Sequence, residues 1–136
     1  MTREERELLI TDLSCRLPYG LKIHINGEVQ FLDSVMYDDG YYVNFVGDNK
    51  EGYALVYNDI QPYLYPMSSM TEEQKNEYYD IVNYISSDDT DNWQEGEFIY
   101  VDRMTNLLHF YHRNHIDYRG LIPMGLARDA TGLKVY

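Results

Sequence analysis

The stretch that decides the fold is LKIHINGEVQFLDSVMYDDGYYVNFVGDNKEGYALVY, residues 21–57. Apolar and polar residues alternate along much of it, and a period of two is typical of strands buried on one face. Asn26-Gly27 stands directly after the first alternating run, and this dipeptide favours the type I′ turn of a tight hairpin. Residues 38–40 and 47–52 provide two further turn signals. The sequence therefore predicts four antiparallel strands in a meander.

Helices are predicted on both sides of this meander. Thr2 and Glu5 form the S/T-x-x-E pattern of a capping box, which indicates a helix over residues 2–16. Thr71 and Gln74 form a second capping box, ahead of a helix that we expect to reach about residue 85. Further along, we predict a short strand at residues 97–101, with the start of a helix there as the alternative, a third helix at 103–115 and a last helical turn within 121–128.

Together these elements predict a single α+β domain over residues 1–136. It divides into an N-terminal helix at 1–17, the β meander at 18–65, and a helical part at 66–136 with an acidic loop at 86–97. Four short strands cannot bury one face alone, so we expect a small SH3-like barrel or a strongly twisted sheet covered by a helix. Residues 59–70 contain two prolines and are predicted to form an extended connector.

Charge is distributed unevenly along the chain, whose formal net charge is −12. Residues 66–102 carry one basic and ten acidic groups, whereas residues 103–136 carry five basic and two acidic groups. Binding to a phosphate backbone needs a positive footprint, so direct nucleic-acid binding is not expected. We expect a protein partner instead. A more specific alternative is an acidic, DNA-mimic-like inhibitor that occupies the basic groove of a host nucleic-acid-binding or defence protein.

The location is predicted to be the cytoplasm, and the bacterial host is implied only by the resemblance described below. No apolar run approaches the roughly 20 residues that a membrane span needs, and the N-terminal residues lack the apolar region of a signal peptide. The single cysteine, Cys15, permits no internal disulfide, which suits a reducing compartment. We expect its thiol to be buried and structural.

The strongest enzymatic suspicion falls on three histidines near the end of the predicted third helix. His109 and His115 are about 120° apart around a helix axis, so one helix cannot direct all three imidazoles to one metal ion. His112 and His115 could bind zinc with help from Asp117, and an enzyme using His109, His112 and Asp117 is the third alternative. The favoured interpretation is a non-enzymatic protein with no cofactor and no metal.

Candidate partner-contacting residues combine the excess of tyrosine, 15 in all, with the acidic stretch. Tyrosine buries a large ring and keeps a wet hydroxyl, so it suits both core edges and interfaces. We expect Asp117 to pair with Arg119 or Arg113 and so to fasten the tail. The candidates for partner binding, with a homo-oligomer also possible, are Tyr63, Tyr65, Asp88, Asp89, Asp91, Trp93, Tyr118 and Arg119.

Three separated blocks carry a resemblance to a known group of proteins. They are DLSCRLPYGLK at residues 12–22, DIQPYLYPMSSMTEEQ at 59–74 and NHIDYRGLIPMGLA at 114–127. The blocks resemble small uncharacterised proteins of gut Bacteroidales and their phages, in which patterns such as DLCARLPYG, I-x-PYLRPMSSMTEEE and H-x-DYRGLI-x-x-GLA are expected. This chain departs from them at Ser14-Cys15 and at Tyr65. The resemblance implies a phage or mobile-element origin and no particular activity.

Overall fold

Seven strands and three α-helices lie in the part of the chain that the computed structural model describes, residues 1–37, 40–47, 50–55, 60–85 and 93–136. The helices are α1 (Arg3–Arg16), α2 (Glu72–Ile85) and α3 (Trp93–Arg113). The strands are β1 (Lys22–Ile25), β2 (Glu28–Tyr37), β3 (Tyr41–Gly47), β4 (Lys50–Leu55), β5 (Gln61–Pro66), β6 (Ile116–Asp117) and β7 (Arg128–Asp129). The α+β class predicted from the sequence is confirmed. None of these helices combines the length and the apolar character that crossing a membrane requires.

The strands form one mixed sheet in the order β4-β3-β2-β1-β5-β6, with β7 also paired to β5. The four-stranded meander is confirmed, and its first hairpin has Asn26 at φ 52° and Gly27 at φ 79°, the positive angles of a type I′ turn. Residues 61–66, predicted as part of a connector, are extended as expected but pair antiparallel with β1 as a fifth strand. β6 and β7 then add to β5 in parallel. The SH3-like curvature stays a prediction.

Both predicted capping boxes are present. The Thr2 hydroxyl accepts from the Glu5 backbone N–H at 3.1 Å, and the Glu5 carboxylate accepts from the Thr2 N–H at 3.1 Å. Thr71 and Gln74 make the same reciprocal pair at 3.1 and 2.9 Å. Each box satisfies two backbone donors that a helix start leaves without partners, so these two helix starts could be located from sequence alone.

The prediction for the start of the third helix was wrong. Residues 97–101 were expected to form a strand, but α3 begins at Trp93 and runs through them to Arg113. Strand propensity is weak and depends on neighbouring strands, so a β-type composition alone does not prevent a helix. The helix also ends earlier than residue 115, because His115 adopts a left-handed φ of 55°. The helical turn expected within 121–128 is replaced by non-helical turns followed by β7.

The main core lies between α1 and the inner face of the sheet. Leu9 and Leu13 of α1 are fully buried, and their four-residue spacing places them on one face of the helix. They pack with apolar side chains of the sheet and tail, namely Leu21, Ile23, Ile25, Leu32, Val43, Ile60, Leu64, Leu121, Leu126 and Ala127. A smaller cluster joins Phe110, Tyr111 and Ile116 to the partly buried Tyr78 and Ile81 of α2.

A fully buried ion pair connects α1 to the tail. Arg16 Nε donates to Asp12 Oδ2 at 2.8 Å, and both side chains are 0% exposed. Arg16 Nη2 also donates to the Ile116 carbonyl at 2.6 Å, while Arg119 Nε donates to the second Asp12 oxygen at 3.2 Å. Burial raises the pKa of Asp12, and the guanidinium charges of Arg16 and Arg119 oppose that rise. The carboxylate therefore stands between two cations that belong to opposite ends of the chain.

Asp117 does not make the ion pair predicted for it. Its two carboxylate oxygens accept from the backbone N–H groups of Leu121 and Ile122, each at 2.9 Å. The expected partners are engaged elsewhere, since Arg119 pairs with Asp12 and Arg113 pairs with Glu77. A carboxylate next to two free backbone donors of a turn gains charge-assisted hydrogen bonds without ordering a long side chain. Asp117 thus shapes the turn that follows β6.

The hydroxyl of Tyr136 completes the ladder between β1 and β5. Their register pairs His24 with Gln61 and Ile23 with Pro62, and one further step would place Lys22 opposite Tyr63. At that step the Tyr136 hydroxyl accepts from the Lys22 N–H at 3.0 Å and donates to the Tyr63 carbonyl at 2.8 Å. The ring of Tyr136 stacks on His115, with centroids 3.7 Å apart. The last residues are therefore fixed to the sheet by a side chain that substitutes for a backbone hydrogen bond.

We expect Asp12→Ala to destabilise the fold by about 3–5 kcal/mol, because it leaves the buried Arg16 charge without a partner. Glu7→Ala is the matched control. It breaks an i,i+4 pair on the same helix between Arg3 and Glu7, whose side chains are 85% and 54% exposed, and should cost less than about 1 kcal/mol. Urea unfolding of both variants measures the difference, and equal losses would contradict the role assigned to Asp12.

Replacement of Tyr136 by phenylalanine should lower the free energy of unfolding by about 1–2 kcal/mol, since the Lys22 N–H and the Tyr63 carbonyl both lose their partner. Tyr37→Phe removes a hydroxyl from a side chain that is 72% exposed and serves as the control, with no measurable change expected. Thermal and urea unfolding followed by circular dichroism test both variants. A Tyr136→Phe protein as stable as the parent would show that water replaces the hydroxyl without loss.

Candidate binding surface

The two predicted partner-binding tyrosines of β5 are structural. Tyr63 is only 5% exposed, and its hydroxyl lies 3.1 Å from His24 Nδ1. The backbone N–H of Tyr65 donates to the His115 carbonyl at 2.8 Å, and its ring centroid is 6.1 Å from that of Tyr136. Both rings sit where the tail meets the sheet, Tyr63 buried and Tyr65 half-buried, and their contact with a partner stays a prediction.

Tyr118 and Arg119 likewise belong to the interior seam between α1, α3 and the tail. The Tyr118 ring stacks on Tyr111 with centroids 4.7 Å apart, and its hydroxyl lies 2.8 Å from His112 Nε2. Arg119 places Nη2 3.8 Å from Cys15 Sγ. These contacts fix the two half-buried side chains within the fold, and their role in partner binding stays a prediction.

The expectation for Cys15 was wrong, because its thiol is exposed. The buried positions of α1 after its first turns are Leu9, Ile10, Asp12, Leu13 and Arg16. Cys15 falls outside that stripe, on the solvent side of the helix. Two of the buried positions of α1 are occupied by the polar residues Asp12 and Arg16, whereas an amphipathic helix usually has apolar residues there.

The acidic candidates fall largely outside the described residues. This holds for Asp88, Asp89 and Asp91 and for most of the predicted acidic loop. Trp93 begins α3, and only its backbone is described. In α2 the acidic residues Glu72, Glu73, Glu77 and Asp80 are exposed, with ion pairs from Lys75 to Glu72 and from Arg113 to Glu77.

His109 and His112 both lie beside the Tyr19 ring, with centroids 5.9 and 5.6 Å from it, whereas His115 follows the end of α3 and faces Tyr136. His109 is exposed and contacts the Tyr19 hydroxyl, His112 is buried beside Tyr118, and His115 stacks on Tyr136. Burial, and after it the Arg16 charge, lower the pKa of both His112 and His115 to about 4. Both imidazoles are therefore neutral near pH 7. Within the described ranges, no three His, Cys, Asp or Glu side chains are placed to hold a metal ion.

An apolar patch on the outer face of the sheet was not predicted. It consists of Val29, Phe31 and Val46, which are 44%, 49% and 37% exposed. Phe31 lies directly opposite Val46 across β2 and β3, and Val29 lies on the same side of β2, two residues before Phe31. The three side chains are therefore neighbours, and the contiguity distinguishes them from the singly exposed apolar residues found on most surfaces.

The apolar patch borders a groove of about 410 Å³. Lys22, Gln30 and Gly47 complete its lining. Lys22 is the β1 residue paired with Phe31, and its ammonium nitrogen lies 4.9 Å from the centroid of that ring. The volume falls within the range of about 300–1,000 Å³ typical of clefts that hold small ligands or anchoring side chains.

Basic side chains lie beside the apolar patch on the same outer face. Lys22 and His24 alternate with the core residues of β1, and His24 pairs with Gln61 of β5. Arg128 of β7 donates to the Gln61 side chain at 2.9 Å. Burial and then the Arg128 charge lower the pKa of His24, so Lys22 and Arg128 supply the positive charge.

A signal for the apolar patch was present in the sequence of β2. Val29, Phe31 and Leu32 are apolar, whereas strict alternation would have placed apolar residues on one face only. Gln30 occupies the inner face, 4% exposed, next to Gly47, whose missing Cβ leaves room for the Gln30 amide. A polar residue facing inward between two apolar residues facing outward indicates an apolar outer surface. The turn signals locate the strand but do not show which of its faces is exposed.

Stability should fall as the pH is lowered from about 6.5 towards 4. The unfolded chain protonates His112 and His115 near pH 6.5, whereas the folded chain resists protonation down to about pH 4, so acid favours unfolding. Each histidine can contribute at most about 1.4 kcal/mol per pH unit, and less where solvent reaches the ring. Urea unfolding across this range measures the slope, and His112→Gln should reduce it. An unchanged slope in that variant would contradict a neutral, buried His112.

Comparison with protein-family models, curated proteins and solved structures yields no significant match. Function is therefore argued from the surface geometry of this chain.

Proposed function

We propose that the protein is a non-enzymatic accessory protein of the phage or mobile-element type, which acts by binding another protein in the bacterial cytoplasm. The observation that carries the proposal is the apolar patch formed by Val29, Phe31 and Val46 on the outer face of the sheet. Contiguous apolar surface on a chain of net charge −12 has a cost in water, and burial against a partner removes that cost.

The surroundings of the apolar patch support this role. A phenylalanine at the centre of an apolar patch, beside a groove and bordered by polar groups, resembles the apolar core and polar rim of protein interfaces. The outer face also leads to the sheet edge formed by β4, which pairs only with β3 among the described strands. A partner seated on the patch could therefore extend its contact towards an open strand edge.

The contacts made by the polar residues near the end of α3 support a non-catalytic role. His112 and His115 are each engaged with a tyrosine, and Asp117 is engaged with two backbone donors. Their imidazole and carboxylate groups are occupied in stabilising the fold, whereas a catalytic group must be free to contact a substrate.

Phe31→Ser combined with Val46→Ser should weaken partner binding tenfold or more, since a buried phenylalanine alone is worth about 1.5–3 kcal/mol. The matched control is Leu108→Ser combined with Met124→Ser, which removes two apolar side chains of similar exposure outside the apolar patch. Quantitative affinity capture from host cells, with all three proteins shown to be equally folded, tests the proposal. A partner should be retained by the parent and by the control, and lost by the patch variant.

Equal recovery of the partner by the patch variant and the control variant would show that the partner does not bind at the apolar patch. Repeated capture of nothing specific by the parent would contradict the proposal as a whole.

A second candidate function is the acidic inhibitor of a basic host protein. It is favoured by α2, where exposed acidic groups stand beside Tyr79 and Tyr84, whose side chains are 57% and 59% exposed. Binding through this face should weaken steeply as salt is raised and should be reduced by Glu73→Gln combined with Asp80→Asn. Binding that depends on Phe31 and is unaffected by these two substitutions would dismiss the second candidate.

A further inference from the structure

We propose that the outer face of the sheet binds an acidic segment of a partner protein, with one apolar side chain of that segment anchored beside Phe31 and its carboxylates facing Lys22 and Arg128. This inference rests on the proposed function and specifies the chemistry of the partner. The acidic partner differs from what the net charge of −12 suggests, since an acidic chain would be expected to bind a basic partner.

Lys22 and Arg128 differ from many other cations of the chain in lacking an acidic partner. Five other basic residues, Arg3, Arg16, Lys75, Arg113 and Arg119, form salt bridges with carboxylates. Within the described ranges, neither Lys22 nor Arg128 forms one. Their contacts are with neutral acceptors, the Val135 carbonyl for Lys22 and the Gln61 amide for Arg128. Their charges are thus available to a ligand.

Strand register places these two cations on one side of the apolar patch. Lys22 pairs with Phe31 on β1 and β2, and His24 follows on the same face. Tyr63 of β5 contacts His24 and pairs with Arg128 on β7. A path across the strands therefore runs from Val46 and Phe31, through Lys22, to Arg128, and between the two cations it crosses Tyr63, which is buried. Apolar anchoring and positive charge are adjacent along this path.

The position of Lys22 links the two parts of the surface. Its ammonium group lies 4.9 Å from the Phe31 ring centroid, and its side chain lines the groove. An apolar side chain seated in that groove would bring the flanking residues of the same segment over Lys22. Acidic flanking residues would then gain charge-assisted hydrogen bonds, whereas basic ones would meet like charge.

A short acidic segment fits this surface better than a nucleic acid or a large acidic protein. At physiological salt the Debye length is about 8 Å, so a short segment would feel chiefly the charges directly beneath it. A phosphate backbone or a broad acidic surface would also approach carboxylates elsewhere on the chain. Aliphatic Val29 and Val46 further favour a side-chain anchor over the successive aromatic platforms that single strands of nucleic acid use.

The test uses three labelled nine-residue peptides and the full chain. The first has a central phenylalanine flanked by glutamates, the second replaces the glutamates by lysines, and the third replaces the phenylalanine by serine. Fluorescence anisotropy at about 0.15 M salt should show binding of the first peptide, with the second and third at least tenfold weaker. Tight binding of the lysine peptide would overturn the inference.

Charge-reversal variants locate the binding on the outer face. Arg128→Glu should weaken the first peptide at least fivefold. Arg3→Glu produces the same change in net charge on a side chain that is 85% exposed in α1, and should change the affinity by less than twofold. Equal effects of the two substitutions would overturn the inference, because they would indicate a response to total charge alone.

Further measurements distinguish the other ligands that the outer face could bind. If a single-stranded oligonucleotide competes with the first peptide, the occupant of the surface is a nucleic acid and the inference is overturned. If the chain self-associates and Phe31→Ser abolishes the association, the occupant is a second copy of this chain and the inference is likewise overturned. If the first peptide does not bind but a cellular partner is still lost on removal of Phe31 and Val46, the proposed function stands and this inference fails. If neither binding depends on the apolar patch, both fail.

Discussion

The fully buried charge of Arg16 is the constraint on which the rest of the structure depends. A guanidinium group with no access to water needs acceptors to offset its lost hydration, and here the Asp12 carboxylate accepts from Nε and the Ile116 carbonyl from Nη2. The first acceptor belongs to α1 and the second to β6, so one side chain joins the two ends of the chain. The blocks at residues 12–22, 59–74 and 114–127 meet around this point, since β6 also pairs with β5 at Tyr65.

The buried pair explains why so many conspicuous polar residues turn out to be structural. Once Arg16 is buried, Arg119 shares Asp12 with it, and burial followed by these two positive charges lowers the pKa of His112. A neutral imidazole can then lie against Tyr118 inside the seam. The tyrosines contribute in the same way, because each offers a ring for packing and a hydroxyl for a nearby backbone or imidazole group. The polar residues of the interior form a connected set that fixes the tail on α1 and the sheet.

Features with a strong local cause could be predicted from the sequence, whereas features set by distant contacts could not. The turn at Asn26-Gly27 and the two capping boxes depend on neighbouring residues, and all three were correctly predicted. The strand expected at residues 97–101 was wrong because β propensity has little force without a partner strand. The partners of Asp117 and the inward position of Arg16 depend on residues brought close by folding. The apolar patch was missed because turn signals locate strands without showing which side faces solvent.

The outer face of the sheet carries the apolar patch with Lys22 and Arg128 beside it, and α2 carries four exposed acidic residues. The last residue lies at the edge of that outer face, where the Tyr136 ring is within 9° of parallel to the His115 imidazole. Aromatic ring currents shield protons held directly above the ring plane. The imidazole protons of His115 should therefore resonate upfield of those of a histidine in a disordered peptide, and their chemical shifts would report, in the unmodified protein, whether the tail is seated against the sheet.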